Sequence, residues 1–405
     1  MSLVLVTHEI DEPALYGAAA AVIAARRGGR VLYPEFRFDT GLHADAVQHV
    51  LAAGGLGPSG LYWADRLTQS PARAASSVDE IVAEAHENEI VVPIHLEYLR
   101  NPTLPGTIVR AAQNAGVETT IVTIRTSGDS FVVEGDTLAG RDGFGRITDR
   151  PESASENSIP LEIGLIAAEG DQRGVYPATL ASLADAADSL LINLTVRFID
   201  PVALRDAGNF VIPASLAGLV LPGGAAMKNV PGQIEAAAAG LAAGVPTVGL
   251  CLGMQTMATA IAWRRFGRGT ANLAEADPAA PIKTFVPMAG EKGPNGRPLP
   301  EHRTGTHSSA VTAQTRLAEI LPASADVHYN HRYRLDPALV KDLEEAGLRV
   351  AATGLDGAIV DAIEDRDHPF FIGMQGHPEL GSRENNPHPL LSAFLSAALA
   401  HAHSH

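Results

Sequence analysis

The chain has 405 residues, a length that holds two domains of ordinary size, each with a core of its own. Hydrophobic residues make up 46% and charged residues only 19%, with 39 Gly and 27 Pro, so a globular, turn-rich protein is expected rather than a disordered one. A formal net charge of −16, with no basic run interleaved with aromatics, argues against nucleic acid as a partner.

Cys251 is the only cysteine, which excludes an internal disulfide framework and an all-cysteine metal site. No metal and no cofactor are expected. The opening MSLVLVTHEIDE has early acids and no basic flank, so it does not read as a signal peptide. No run approaches the ~18 apolar residues of a membrane span, and a cytoplasmic protein without membrane contact is expected. Self-association into a homo-oligomer is left open.

In chain order, SLVLVTH (2–8) reads as a buried strand, EPALYGAAAAVIAARRGG (12–29) as a helix with a glycine stop, and RVLYPEF (30–36) as a second strand. SVDEIVAEAHENE (77–89) follows as helix, IVVPIHL (90–96) as strand, LPGTIVRAAQNAG (104–116) as helix and VETTIVTIR (117–125) as strand. This alternation predicts an α/β domain with a parallel sheet over residues 1–145. The polar AGRDGFGRITDRPESASENS (139–158) has no apolar period and marks a loop, with the linker placed at 146–159.

A second α/β alternation fills residues 160–400. Strands are expected at IPLEIGLIA (159–167), LLINLTVRFI (190–199), LAGLVLPGG (216–224) and VPTVGL (245–250). Helices are expected at YPATLASLADAAD (176–188), GQIEAAAAGLAAG (232–244) and CLGMQTMATAIAWRRF (251–266), where Met254 and Met257 belong to the core. Residues 277–310 read as an extended loop, and 401–405, with alternating histidines, as a disordered tail.

The chemistry concentrates where VPTVGL meets CLGMQ. A cysteine on a turn between a buried strand and a helix sits beside unpaired N–H groups and a partial positive charge, which favour a thiolate and can hold an oxyanion. A lone cysteine is more often a small buried hydrophobe, so the position needs a base to become a nucleophile. FFIGMQGHPELGSR supplies one: His377 and Glu379 are two apart after an apolar strand, and in an extended segment such side chains point the same way. The carboxylate could then hold one ring nitrogen while the other faces the thiol.

On these stretches, with LPGGAAMKNVPG (221–232), ANLAEAD (271–277), NHRYRLDPALVKDLEEAGLRVAA (330–352) and HPFFIGMQGHPELGSRENNPHPLLSAF (368–394), the second half resembles the class I, or triad, glutamine amidotransferases. Within them it is most similar to the glutaminase domain of CTP synthase. The resemblance implies two α/β domains, the C-terminal one with a mostly parallel central sheet flanked by helices. It implies Cys251 as nucleophile, His377 as general base and acid, and Glu379 as the group that orients His377. It also implies a substrate site of Gly223, Gly224, Leu252, Gly253, Met254, Gln255, Glu275 and Arg332, with backbone N–H groups of Leu252 and Gly224 on the oxyanion. L-glutamine is the implied substrate, turned over through a thioester to glutamate and ammonia. An acceptor substrate or a partner synthetase would take the ammonia.

Two departures qualify this. CTP synthase binds ATP through a Gly-rich loop ending in Lys, and residues 1–145 hold no such motif; AAGGLGPSG (52–60) is the nearest and lacks the lysine. After Gly224 the family pattern Phe-Gly-x-Arg-Gly is replaced by Ala225, Ala226, Met227, Lys228 and Asn229, a segment that CTP synthase links to activation by GTP. A glutaminase with an N-terminal α/β domain of unassigned role is the reading favoured here. The alternatives are a true CTP synthase-type amidating enzyme with a divergent N-terminal domain, a non-catalytic scaffold, and a hydrolase of another γ-glutamyl amide.

Overall fold

The computed structural model describes residues 2–35, 45–95, 103–148 and 158–404. The ends of two expected strands, at Phe36 and Leu96, and most of the expected linker lie outside these residues. The chain divides into two compact units, Met1–Ser153 with Gly170–Ala181, and Ala154–Glu169 with Ser182–His405.

In the first unit a seven-stranded sheet runs in the order Arg30–Val31, Ile90–Ile94, Ser2–His8, Glu118–Ser127, Ser130–Val133, Asp136–Arg141, Ile147–Thr148. The first four strands are parallel. The last four are antiparallel, so the sheet is mixed where a parallel one was expected, and part of the polar 139–158 stretch is strand. Glu134 and Gly135, both at positive φ (52° and 96°), make a two-residue hairpin turn of the kind that matches strand twist. The long N-terminal helix is also split. A 3-10 turn, Pro13–Leu15, precedes Gly17 at φ 79°, and the α-helix begins only at Ala18 and runs to Arg27.

In the second unit nine strands form one sheet, in the order Ile192–Phe198, Ile159–Leu165, Leu219–Leu221, Thr247–Leu250, Phe371–Met374, Ile359–Asp365, Leu348–Gly354, Arg303–Val311, Ser324–His331. The first five are parallel and the remainder antiparallel. The helices Val230–Ala243 and Leu252–Phe266 pack a largely apolar core against it, in which Met254 and Met257 are wholly buried as expected. Part of the expected 277–310 loop is strand: Ile282–Lys283, Phe285–Pro287 and Arg303–Val311. Its polar residues read as loop because their partners are distant. Arg303 is buried against Asp361, two side-chain hydrogen bonds joining them at 2.5 and 3.1 Å. The last helix, Pro389–Ser404, continues through His401 and His403, where a disordered tail was expected.

Candidate active site

Register builds the site. Thr247–Leu250 and Phe371–Met374 are neighbours in the middle of the nine-stranded sheet, with Leu250 opposite Met374. The residues that follow each strand, Cys251 and Gln375, therefore emerge side by side, although 124 positions of sequence separate them. The Cys251 N–H donates to the Met374 carbonyl at 2.8 Å, closing the turn.

Cys251 occupies the turn itself, at φ 50° and ψ −105°, between the strand and the helix Leu252–Phe266. That backbone is strained for a residue with a side chain. A glycine lets the helix start sit close to the sheet: a Cβ on Gly253 would lie 2.0 Å from the carbonyl oxygen of Leu221, on the adjacent strand Leu219–Leu221. The helix start leaves its first N–H groups without intrahelical partners, next to the residue that carries the thiol. Cys251 is buried, at 7% exposure.

His377 follows three residues after the neighbouring strand, its N–H donating to the His328 carbonyl at 2.7 Å. Its Nδ1 lies 2.7 Å from Glu379 Oε1. The expected route to that contact was an extended segment, but Pro378–Gly381 is a 3-10 turn. The turn curls Glu379 back to the ring that precedes it. Gly223 marks the other wall: a Cβ there would lie 3.0 Å from His377 Cε1 and 3.4 Å from Cys251 Cβ. Any side chain at this position would intrude on both groups. Gly224 continues the loop at φ 153°.

Burial by itself would lower the His377 pKa. The Cys251 sulfur and the Glu379 carboxylate more than reverse this, and hold His377 well above the ordinary histidine value. The sulfur acts on the ring through charge and as a hydrogen-bond partner, yet Nε2 makes no hydrogen bond of full geometry. Such contacts commonly tighten only when substrate is bound.

Gln375 is a residue that the motif reading passed over. Its Nε2 lies 3.7 Å from Cys251 Sγ, its Oε1 accepts from Gln255 Nε2 at 3.2 Å, and its N–H donates to the Asp361 carbonyl at 2.7 Å. Asp361 is tied in turn to Arg303, Ser309 and Tyr329. The sulfur also approaches the Asn330 carbonyl at 3.7 Å. The signal was present in the quoted GMQGHPE, since Gln375 directly continues a strand beside the cysteine strand; what was missing was the register.

The expected substrate set divides. Gly223 and Gln255 belong to the cluster just described. Gly253 packs on Leu221 and the Met254 side chain is fully buried under Gly373, so these two face the core and not the turn. Leu252 opens the helix with its side chain in the core. Glu275 and Arg332 form a separate, exposed pair. Desolvation raises the Glu275 carboxyl and the nearby Arg332 cation partly offsets it. Arg332 follows two residues after Asn330, which reaches the thiol.

A family model for class-I glutamine amidotransferases matches residues 181–397, more than half of the chain. The chain belongs to this family. The relatives of this amidotransferase include the CTP synthase of Deinococcus radiodurans, 32% identical over 240 residues, which are 56% of this chain and 44% of that protein. The CTP synthase of Mycobacterium tuberculosis is 36% identical over 193 residues, 45% of this chain and 32% of that protein. The amidotransferase thus spans less than half the length of these curated relatives. Among solved structures, a Trypanosoma brucei CTP synthase glutaminase domain with bound acivicin superposes at a TM-score of 0.53. It is 22% identical and the match covers 60% of this chain and 94% of that one, a likeness of fold. The resemblance read from the cysteine turn and the His-Pro-Glu segment is the one that these comparisons bear out.

Proposed function

We propose that the second unit hydrolyses L-glutamine to glutamate and ammonia, with Cys251 as nucleophile, His377 as proton carrier and Glu379 as its orienting carboxylate. The observation that carries this is the convergence of the three at the carboxyl ends of two adjacent central strands, with Glu379 Oε1 2.7 Å from His377 Nδ1. An imidazole held protonated beside a sulfur keeps the proton off the nucleophile until it is needed.

In this reading the sulfur attacks the side-chain carbonyl carbon of glutamine. The carbonyl oxygen takes the negative charge and is held by the N–H groups of Leu252 and Gly224, where the helix start places positive potential. His377 gives its proton to the departing nitrogen, which leaves as ammonia. Water then attacks the thioester, His377 takes a proton back, and glutamate is released with the thiolate restored. Arg332 and Glu275 carry the two charges that the α-carboxylate and α-ammonium of glutamine require. Gln375 holds the sulfur in place from the side of the buried Asp361 network.

In this reading the chain alone does not make CTP, and its ammonia goes to an unidentified acceptor or a partner synthetase. The Gly-rich segment of the first unit supports this. Its Leu56–Gly57 pairs with His49–Val50 and leads into the 3-10 turn Ser59–Leu61, with Gly60 so close to Tyr16 that a Cβ would lie 2.2 Å from its carbonyl oxygen. A loop packed in this way does not offer the open nest of N–H groups that a triphosphate needs.

The test uses purified protein in three mixtures. With a diazo-ketone glutamine analogue, peptide mass analysis is expected to find the adduct on Cys251; no adduct with glutamine turnover intact removes it as nucleophile. With UTP, ATP, magnesium and glutamine, glutamate accumulates without CTP. Replacing glutamine by free ammonia bypasses the cysteine, and CTP formed in that mixture overturns the inference that the chain alone does not make it.

A further inference from the structure

The loop that forms the Gly223 wall of the site is held at one point. The strand Leu219–Leu221 lies beside the cysteine strand, with Leu221 opposite Gly249. The chain then passes through Pro222, Gly223, Gly224 and Ala225 before the 3-10 turn Met227–Asn229. Among the described residues these four make a single hydrogen bond: Gln233 Nε2 donates to the Pro222 carbonyl at 3.3 Å.

Packing fixes the backbone that carries this amide. Gln233 sits in the first turn of the helix Val230–Ala243 and is only 2% exposed. Pro231 suits a first turn, where its missing N–H costs nothing. Gly232 lets the turn press on the helix Pro201–Ala207: a Cβ there would lie 1.8 Å from the Pro201 carbonyl oxygen. Val230 and Ile234, which flank this stretch, are wholly buried in the core of the second unit.

What the contact fixes follows from the peptide bond. A trans peptide is planar, so holding the Pro222 carbonyl also sets the Gly223 N–H, which points the opposite way. Gly223 is the residue that sits against His377 Cε1 and Cys251 Cβ. A rotation of the Pro222–Gly223 peptide would therefore swing the Gly224 N–H relative to the sulfur, and two successive glycines offer little resistance of their own. The other end of the amide argues for the same use. Gln233 Oε1 is buried with no hydrogen-bond partner among the described residues. Such an acceptor is a standing cost that an apolar side chain of similar length would avoid. The N–H on Pro222 is what the glutamine offers in return.

We propose that Gln233 is a positioning residue: by holding the Pro222 carbonyl it keeps the Gly223–Gly224 loop in the orientation that presents the Gly224 N–H to the oxyanion. This rests on the glutaminase reading above. Gln233 acts on the reaction only through the loop, so it governs the rate of the chemical step more than the affinity for glutamine, whose two charged groups fall to Arg332 and Glu275.

The test uses the full chain and two variants. Gln233→Met keeps the length of the side chain and removes its N–H; kcat for glutamate release is expected to fall about tenfold, with KM within about twofold of the wild type. Gln233→Glu sets a carboxyl group against the Pro222 carbonyl, where the ionised form repels and the protonated form donates as the amide did. The ratio of its kcat to that of the wild type is expected to rise as pH falls through the titration of this carboxyl, a recovery that lost packing would not show. Backbone amide relaxation by NMR reads the loop without turnover. Gly223 and Gly224 are expected at an order parameter of about 0.85 in the wild type and below about 0.6 in Gln233→Met. The proposal is overturned by mobile glycines in the wild type, by unchanged loop order or wild-type kcat in Gln233→Met, or by a Gln233→Glu ratio that does not move with pH. A wild type that releases no glutamate refutes the glutaminase reading instead, and relaxation alone then decides whether Gln233 holds the loop. Should Gln233→Met fail to fold, relaxation of Gln233→Glu across the same pH range decides.

Discussion

Two histidines, one in each unit, stand at the carboxyl ends of parallel strands, His8 buried and His377 largely so, yet one ring is held neutral and the other protonated. Burial pulls both downward. His377 has the Cys251 sulfur and the Glu379 carboxylate beside it, and is held well above the ordinary value. Among the described residues no such counter-charge acts on His8, and it rests at about 4. A place in an α/β fold brings a side chain to the ligand side of the sheet, but neighbouring charges decide whether it moves protons or only donates a hydrogen bond.

The comparison breaks most visibly at the cysteine. Cys251→Ala is expected to lower glutamine turnover by on the order of 10⁴ or more, read as glutamate release, because no other side chain can form the thioester. His377→Ala is expected to cost about 10²–10⁴ in the same assay. Near-wild-type rates in either variant would end the triad assignment. Glu379→Gln removes one of the two charges that raise His377, so the alkaline limb of the rate profile should move to lower pH. An unmoved limb would mean that the carboxylate does not govern the ring.

Next in size is the support of the site. Asp361→Asn leaves the buried Arg303 without its counter-charge and loosens the carbonyl that holds Gln375. A loss of about 3–5 kcal/mol is expected, confined to the second unit when hydrogen exchange is followed residue by residue. Equal weakening of the first unit would contradict a local role.

The two histidines also predict opposite pH windows for stability. For His8 the folded value, about 4, lies below the ordinary 6.5, so below that pH the unfolded chain binds a proton that the folded chain refuses. The first unit should therefore lose up to about 3 kcal/mol as pH falls from 6.5 towards 4, and His8→Asn should flatten that slope. For His377 the folded value is raised, so its contribution is complete in acid and is withdrawn as pH rises through that value. Urea unfolding of wild type and His8→Asn across this range, with exchange protection resolved by unit, checks both signs.

The smallest effect tests the strained turn. At φ 50° a Cβ is unfavourable, so Cys251→Gly should be more stable than Cys251→Ala by about 1 kcal/mol, the reverse of the usual order for these residues. Ala proving the more stable in thermal unfolding would mean that the turn relaxes once the cysteine is gone.

Short-range patterns carried much of this protein. The apolar run VPTVGL, the helix after Cys251 and the Met254–Met257 spacing are visible in sequence because periodicity of 2 or 3.6 residues is a local property. So was the His377–Glu379 pair, although through a 3-10 turn and not the extended segment that was expected. Arg303–Val311 was misread as loop, since a polar strand becomes recognisable only when the Asp361 that satisfies Arg303 is known. The hairpin at Glu134–Gly135 is local, but it falls between the segments assigned from periodicity, and its strands pair across the polar stretch read as loop.

By itself the sequence determined which segments are strands and helices around the site, that a lone cysteine stands at a strand-to-helix turn, and that a His-Pro-Glu segment follows another buried strand. Tertiary structure alone decided the pairing of Leu250 with Met374, which brings Cys251, Gln375 and His377 together across more than a hundred residues. It also decided the charge of each histidine, because a pKa depends on desolvation and on charges a few ångströms away in space, and neither quantity is written in the order of residues along the chain.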